Sequence, residues 1–255
     1  MPTPLYLDWT FWSFVVAAAA IVLSQLPPLR SLLHRPQLEL DAYGRMLVTH
    51  LMGYPNIEMT LGVRNPGGKQ VRVRCVSLSL FSQGRETTKL EGASYFPSPL
   101  PQSPSVILTP FVLAPGDERI HAVRFIQRLP QHADRVLGQL RAEVRQDLIA
   151  QLDARRGASD SAPSEELVSV NAQLAQRLDD EFARNFRWTT GEHEVVFRVE
   201  TEELGMIQRR YRFTLYESDI ESMREIAARH KYGFGVVPSI NDDRAIPVLV
   251  DLSRT

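Results

Sequence analysis

Residues 57–73 read IEMTLGVRNPGGKQVRV, and they indicate a β-rich fold more clearly than any other stretch. From Ile57 to Val63, apolar side chains alternate with polar or small ones, as in a strand with one buried face. The Asn-Pro-Gly-Gly sequence that follows is typical of a turn, and a second strand begins at Lys69. The apolar phase of that strand slips at Cys75, which predicts a β-bulge there and makes the cysteine a small core residue.

Similar alternation recurs on both sides of this pair of strands. Further strands are predicted at residues 38–41, 46–50, 106–108, 111–113, 119–126, 194–200 and 207–216. A turn is expected at Gly44, and the Pro/Ser-rich residues 92–105 are expected to form a loop. Short strands of this kind, separated by turns, predict an immunoglobulin-like β-sandwich. The chain lacks the Cys…Trp…Cys spacing of antibody domains, so only the architecture is inferred.

The last two of these strands should form a hairpin with one face directed into the core. The inward-facing side chains predicted there are Val195, Phe197, Val199, Tyr211, Phe213 and Leu215.

Between residues 130 and 187 the apolar spacing changes to three and four, which is the helical period. The pattern predicts two helices of over 20 residues, with Ser164 as the N-cap of the second, folded back as an antiparallel hairpin. Its apolar stripe either covers a sheet edge or the neighbouring helix, or forms a coiled-coil-like arm for a partner. The candidate partner-binding residues of the second interpretation are Leu140, Val144, Leu148, Leu174 and Leu178. The sequence leaves open whether the hairpin packs on the sandwich or projects from it.

A third helix is predicted from Ser218, which with Glu221 forms a capping box. It presents Ile220, Met223, Ile226 and Ala227 on one side. Gly233 is expected to end the helix, and residues 248–250 are expected to add an edge strand.

The N-terminal residues 9–26, WTFWSFVVAAAAIVLSQL, carry no charge. As a helix they would span about 27 Å, close to the ~30 Å hydrocarbon core of a bilayer. Trp9 and Trp12 suit the membrane–water boundary, and Arg30 suits the other side as a snorkelling anchor. The rival interpretation, a cleaved signal peptide, requires a basic N-terminal region that residues 1–8 lack. We therefore expect a single-pass transmembrane helix.

Positive charge near the membrane indicates the cytoplasmic side. The N-terminal flank has no Lys or Arg, whereas residues 27–45 hold Arg30, Arg35 and Arg45. The longer stretch 30–128 agrees, with 12 Lys and Arg against 7 Asp and Glu. We therefore expect the body on the cytoplasmic side of an inner membrane, with a periplasmic body as the alternative. The division expected along the chain is a flank (1–8), the membrane helix (9–26), a linker (27–37), the first part of the sandwich (38–129), the helical hairpin (130–187), a closing β-hairpin (188–217) and a C-terminal helix and tail (218–255).

Motifs for metal, cofactor or catalytic chemistry are absent from the sequence. Its six histidines lack ligand spacing, its cysteine is single, and no phosphate-binding or nucleophile-elbow motif occurs. Glu192-His193-Glu194 is the one tight acid–histidine cluster, and consecutive strand residues point to opposite faces. We therefore expect no cofactor and no metal, and an enzyme is less favoured than a binding protein.

Four arginines form the remaining candidate site. If strand 69–81 lies beside the closing hairpin, Arg72, Arg74, Arg210 and Arg212 share its outer face with several carboxylates. They form either a cross-strand Glu/Arg ladder or a patch for lipid head groups or an acidic partner.

The expected function is that of a non-enzymatic scaffold or assembly subunit in a membrane complex. The bias toward Arg over Lys is typical of a GC-rich bacterial genome. The expected partners are the lipid bilayer and another membrane-associated protein, or a second copy. A net charge of −1 gives no reason to expect nucleic acid. The alternative is a membrane-tethered hydrolase acting on lipid or envelope material, and the sequence identifies neither the partner nor the oligomeric state.

Overall fold

A computed structural model describes residues 9–25, 35–97, 104–158, 167–237 and 247–254. The chain is mainly β, with several helices. The strands are β1 (Glu39–Leu51), β2 (Tyr54–Arg64), β3 (Val71–Ser82), β4 (Arg85–Phe96), β5 (Val106–Ile107), β6 (Phe111–Leu113), β7 (Glu118–Ile126), β8 (Gly191–Thr201), β9 (Gly205–Leu215), β10 (Val248–Asp251) and β11 (Ser253–Arg254). The helices are α1 (Trp9–Gln25), α2 (Gln131–Ala158), α3 (Ala172–Asn185), α4 (Glu217–Ala228) and the 3-10 turn His230–Tyr232.

The strands form a nearly closed antiparallel sheet. Its order is β10-β1-β2-β7-β4-β3-β8-β9-β11, with β5 paired to β4 and β6 to β3. The two ends meet because β10 pairs with β1 and β11 pairs with β9, and only Leu252 separates β10 from β11. The backbone N–H of Leu252 donates to the Gly44 carbonyl at 2.8 Å, and that of Ala42 donates to the Tyr211 hydroxyl at 3.2 Å. The immunoglobulin-like division into two sheets stays a prediction.

The main core lies inside this sheet. Alternate side chains of each long strand point into it, as the period of two requires. All six inward-facing residues predicted for the closing hairpin are buried there, which confirms the predicted faces of β8 and β9. The other buried core residues contributed by these strands and by α4 include Leu40, Ile57, Leu61, Leu78, Leu90, Phe125, Ile220 and Met223.

Three details of the strands differ from expectation. Gly44 lies within β1, at a register shift between Ala42 and Met46, and not in a turn. Residues 92–96, expected as loop, belong to β4. The predicted irregularity of β3 is confirmed, because its pairing with β8 shifts between Val73 and Cys75. That shift turns the Cys75 thiol to the exposed face, so its prediction as a core residue was wrong.

The helical hairpin is present and antiparallel. Glu143 of α2 forms an ion pair with Arg177 of α3. The Asp147 carboxylate, one turn further along α2, accepts from the backbone N–H of Asn171 at 2.9 Å and from its side-chain amide at 3.0 Å. The second helix was predicted too long, since Asn171 caps it by accepting the Leu174 N–H at 3.0 Å. Ser164 lies outside the described residues.

The C-terminal helix begins earlier than predicted. Asp219, rather than the predicted Ser218–Glu221 pair, caps it, because its carboxylate accepts the Tyr216 N–H at 2.8 Å. Gly233 ends the following 3-10 turn with φ of 87°, and its N–H donates to the His230 carbonyl at 2.8 Å. The predicted C-terminal glycine is therefore confirmed, as is the strand at residues 248–250.

Candidate functional site

Helix α1 presents an apolar surface without charge. Trp9 is 84 % exposed and Phe14 is 73 % exposed. The other exposed large apolar side chains of this helix are Phe11, Trp12, Val15, Val16 and Ile21. Within the part of the chain that the structure describes, no helix reaches the length and apolar content needed to cross a membrane. Arg30, the third residue expected to anchor the chain, lies outside the described residues.

The hairpin residues predicted to bind a partner form a second core. Leu140, Val144 and Leu148 of α2 pack with Leu174 and Leu178 of α3, and all five are buried. Further buried members of this second core are Met52, Leu137, Val170, Val236 and Val237. The inner apolar stripe is therefore accounted for by packing within the chain, and its partner-binding role stays a prediction.

The hairpin docks on one end of the sheet, which answers the question that the sequence left open. The Tyr54 hydroxyl at the start of β2 donates to the Glu181 carboxylate of α3 at 2.9 Å. Burial, and secondly the hydrogen bond to Glu181, raise the pKa of Tyr54 to about 12. The Val170 N–H donates to the Lys231 carbonyl at 2.8 Å, which ties the start of α3 to the 3-10 turn.

Two buried histidines lie inside this junction. His50 at the end of β1 has its Nε2 2.8 Å from the Met223 carbonyl oxygen, while its Nδ1 accepts the Gly53 N–H at 3.3 Å. This pattern assigns the proton to Nε2 and leaves His50 neutral. The ring packs on Phe182 of α3 and on Phe186, which follows the helix, with centroid distances of 5.0 and 5.7 Å.

The second histidine, His230, is 1 % exposed, and among the described residues neither of its ring nitrogens has a hydrogen-bond partner. Burial, and secondly the adjacent His50, lower the pKa of His230 to about 3. Both histidines are therefore uncharged at neutral pH. We read the pair as a docking contact between sheet and hairpin.

The four candidate arginines lie on the outer face of β3 and β9, as predicted. Arg72 and Arg74 both approach the Glu202 carboxylate, at 3.7 and 3.2 Å. Arg210 pairs with Glu194 at 3.0 Å, and Arg212 pairs with Glu192 at 3.4 Å. Exposed pairs of this kind contribute roughly 0–1 kcal/mol each. The arrangement is a Glu/Arg ladder, and binding of a lipid head group or an acidic partner by it stays a prediction.

The acid–histidine cluster borders a cavity of about 520 Å³ near the Gln83-Gly84 turn. His193 lies on the buried side of β8, with its Nε2 2.7 Å from the Thr189 carbonyl oxygen and its ring stacked on Phe213. Its two neighbours point the other way, into the arginine ladder. The cluster thus does not converge on one point, as the strand geometry predicts.

Cys75 lines a cavity of about 280 Å³ where β3 and β4 separate to admit β5 and β6. Its thiol donates to the Glu200 carboxylate at 3.4 Å. Burial raises the pKa of the Cys75 thiol, and Glu200 raises it further. A thiol with a raised pKa is a weak nucleophile at neutral pH. No group of three His, Cys, Asp or Glu side chains suited to a metal ion occurs in the described ranges.

One surface was missed by sequence reasoning. The outer side of α2 and Val237 border a groove of about 400 Å³, lined also by Arg141, Ala142, Arg145, Gln146 and Ile149. The signal was present as a second apolar spacing along α2, but the stronger inner stripe concealed it.

Comparison with known proteins gives no relationship: no family model matches this chain, and no curated protein matches it in sequence.

Proposed function

We propose that the protein is a membrane-anchored, non-enzymatic interaction subunit of a bacterial membrane complex. Its N-terminal apolar segment lies in the lipid, and the sheet with its docked hairpin faces the cytoplasm. The observation that carries this proposal is the exposure of α1, whose seven large apolar side chains are each 36–84 % exposed in the described part of the chain.

The energetics favour a lipid environment for this helix. Burial of one large apolar side chain contributes roughly 1.5–3 kcal/mol, so a helix that exposes seven of them gains strongly from an apolar environment. A contiguous apolar surface of this kind marks a membrane or protein contact. The lack of charge along α1 favours lipid, since a partner-binding helix in water usually keeps a polar face.

The polar groups of the body support a binding role over a catalytic one. Arginines and carboxylates around the two sheet cavities form ion pairs, and burial, together with the hydrogen bond to Glu200, raises the pKa of the Cys75 thiol. Catalytic groups are usually set near neutral pKa values and left available to a substrate.

The single cysteine provides the test of orientation, because Cys75 is exposed and lies in the body. A membrane-impermeant maleimide is applied to intact cells and to inside-out membrane vesicles. We expect labelling in the vesicles alone, with Cys75→Ser as the control that removes the signal. Labelling of intact cells would place the body on the outer side and contradict the cytoplasmic assignment.

A further inference from the structure

Helix α2 carries a second row of residues that faces away from the hairpin core. Gly138, Ala142, Arg145, Ile149 and Leu152 follow one another at steps of four and three, and all five are exposed. We call this row the outer seam. Steps of four and three are the spacing with which one helix packs along another. Ile149 and Leu152 are 47 % and 41 % exposed, so the apolar end of the seam is uncovered in the described structure.

The shape of the outer seam suits a second helix. Small residues occupy one half of it, and a side chain added at Gly138 would meet no atom within 4 Å. Small residues allow two helix axes to approach closely. The groove of about 400 Å³ between the seam and Val237 continues this surface to one side.

Two arginines give the groove its charge. Nε of Arg141 is buried without a hydrogen-bond partner among the described residues, and burial lowers the pKa of this guanidinium. Arg145, one turn away, has no ion pair within the described ranges. Arg177 on the neighbouring helix, by contrast, is paired with Glu143. The charge of Asp134 partly offsets the effect of burial on Arg141, but the buried Nε of Arg141 still lacks a hydrogen-bond acceptor among the described residues, and a carboxylate supplied from outside would provide one.

We propose that the outer seam and its groove bind an amphipathic helix of a partner protein that carries two carboxylates one turn apart. The carboxylates pair with Arg141 and Arg145, which lie about 6 Å apart along the helix axis, and apolar side chains cover Ile149 and Leu152. The inference rests on the proposed function and specifies where the partner binds and what its surface contains.

The composition of the seam argues against a second copy as the occupant. Neither the outer seam nor the groove beside it contains a carboxylate, so two copies pairing through this surface would leave Arg141 and Arg145 unmatched. Like charges facing each other across an interface are destabilising. An acidic partner helix satisfies both arginines.

Photo-crosslinking tests the proposal in the full chain within its native membrane. The photoreactive amino acid p-benzoylphenylalanine replaces Gln146, which lines the groove, and in a control it replaces Gln176, exposed on α3. After irradiation, mass spectrometry maps the attached segment. We expect an adduct from position 146 alone, to a partner helix with Asp or Glu at positions i and i+4.

Charge reversal then tests the role of the arginines. Because Arg145 is exposed, Arg145→Glu should fold normally, and we expect it to lower the adduct yield about tenfold or more. Changing one mapped acidic residue of the partner to Lys should restore the yield. Circular dichroism confirms that the variant is folded.

Four outcomes would overturn the proposal: no adduct, an adduct to residues 238–246 of the same chain, an adduct to a second copy, or a yield that Arg145→Glu leaves unchanged. Membrane fractionation of the same samples separates the two claims. If the chain stays in the membrane fraction and any of these outcomes occurs, this inference alone falls. If the chain leaves the membrane fraction, the proposed function falls.

Discussion

The rings of His50 and His230 pack against each other with their centroids 5.6 Å apart, inside the junction between the sheet and the helical hairpin. One comes from the end of β1 and the other from the 3-10 turn after α4, and α3 covers both through Phe182. Two charged imidazoles at this distance in a buried site would repel each other and lose their hydration. Neutral rings therefore stabilise the junction, and protonation of either ring should weaken it.

Stability should fall with acid because of His230. Its pKa is about 3 in the folded chain and 6.5 in the unfolded chain, so the unfolded chain takes up the proton first. The contribution of neutral His230 to the free energy of unfolding is fully present above pH 6.5. It decreases as the pH falls toward 3, by about 1.4 kcal/mol for each pH unit. Urea unfolding at pH 7.5 and 5 measures the difference.

The variant His230→Leu should lose most of this pH dependence and become more stable than the natural chain at pH 5. His132→Leu is the matched control, because His132 is exposed on α2. Equal slopes of unfolding free energy against pH in the natural chain and His230→Leu would contradict the assignment.

The second core holds the hairpin together. Leu178 is fully buried in it, so Leu178→Ala should lower the unfolding free energy by about 2–5 kcal/mol. Leu167→Ala removes an exposed side chain of the same size and should change it by roughly 0.5 kcal/mol or less. Chemical denaturation of the two variants makes the comparison, and equal losses would show that the hairpin does not pack as described.

Closure of the sheet depends on the segment that holds β10 and β11. Val250 is buried against the main core, whereas the adjacent Leu249 is 53 % exposed. Val250→Asp should lower the free energy of unfolding by at least about 3 kcal/mol, because it buries an unpaired charge. Leu249→Asp should change the free energy of unfolding little, because this position is exposed. Hydrogen exchange of the β1 and β9 amides should accelerate in Val250→Asp alone, and unchanged exchange would contradict the closed arrangement.

The carboxylate of Glu200 should slow the alkylation of Cys75. Burial raises the pKa of the thiol and Glu200 raises it further, so Glu200→Gln should increase the thiolate fraction and the rate of reaction with iodoacetamide at pH 7.5, by roughly two- to fivefold. Glu202→Gln is the control, since Glu202 pairs with Arg74 instead. Equal rates in Glu200→Gln and the natural chain would contradict this role.

Strands that alternate strongly were predictable from local sequence. β2 from Ile57 to Val63, β8 from Val195 to Val199 and β9 from Tyr211 to Leu215 place an apolar side chain on every second position, so the buried face is visible without a structure. β4 was missed because Leu90 is its one buried apolar residue, and Gly92 and its polar neighbours look like a loop. The local sequence pattern therefore identifies a strand where that strand contributes several apolar side chains to the core.

Sites formed by distant residues could not be predicted. His50 and His230 are 180 positions apart, and they meet because the end of β1 packs against α4 and the 3-10 turn that follows it. The register shift in β3 decides which face of the sheet Cys75 occupies. The apolar spacing of the sequence indicates that a shift occurs, but it does not indicate to which face the cysteine turns. The Arg/Glu ladder was predictable in part: the strand neighbours were correct, but Glu202, in the turn between β8 and β9, was not foreseen as the partner of Arg72 and Arg74.

Membrane fractionation followed by carbonate extraction tests the central claim most directly. The full chain is compared with the double variant Val16→Arg plus Ala19→Arg, in which each charge adds about 2.5–3.5 kcal/mol to the cost of inserting the helix. We expect the full chain to remain in the carbonate-washed membrane pellet and the double variant to move to the supernatant. Recovery of the full chain in the aqueous fraction would contradict the account.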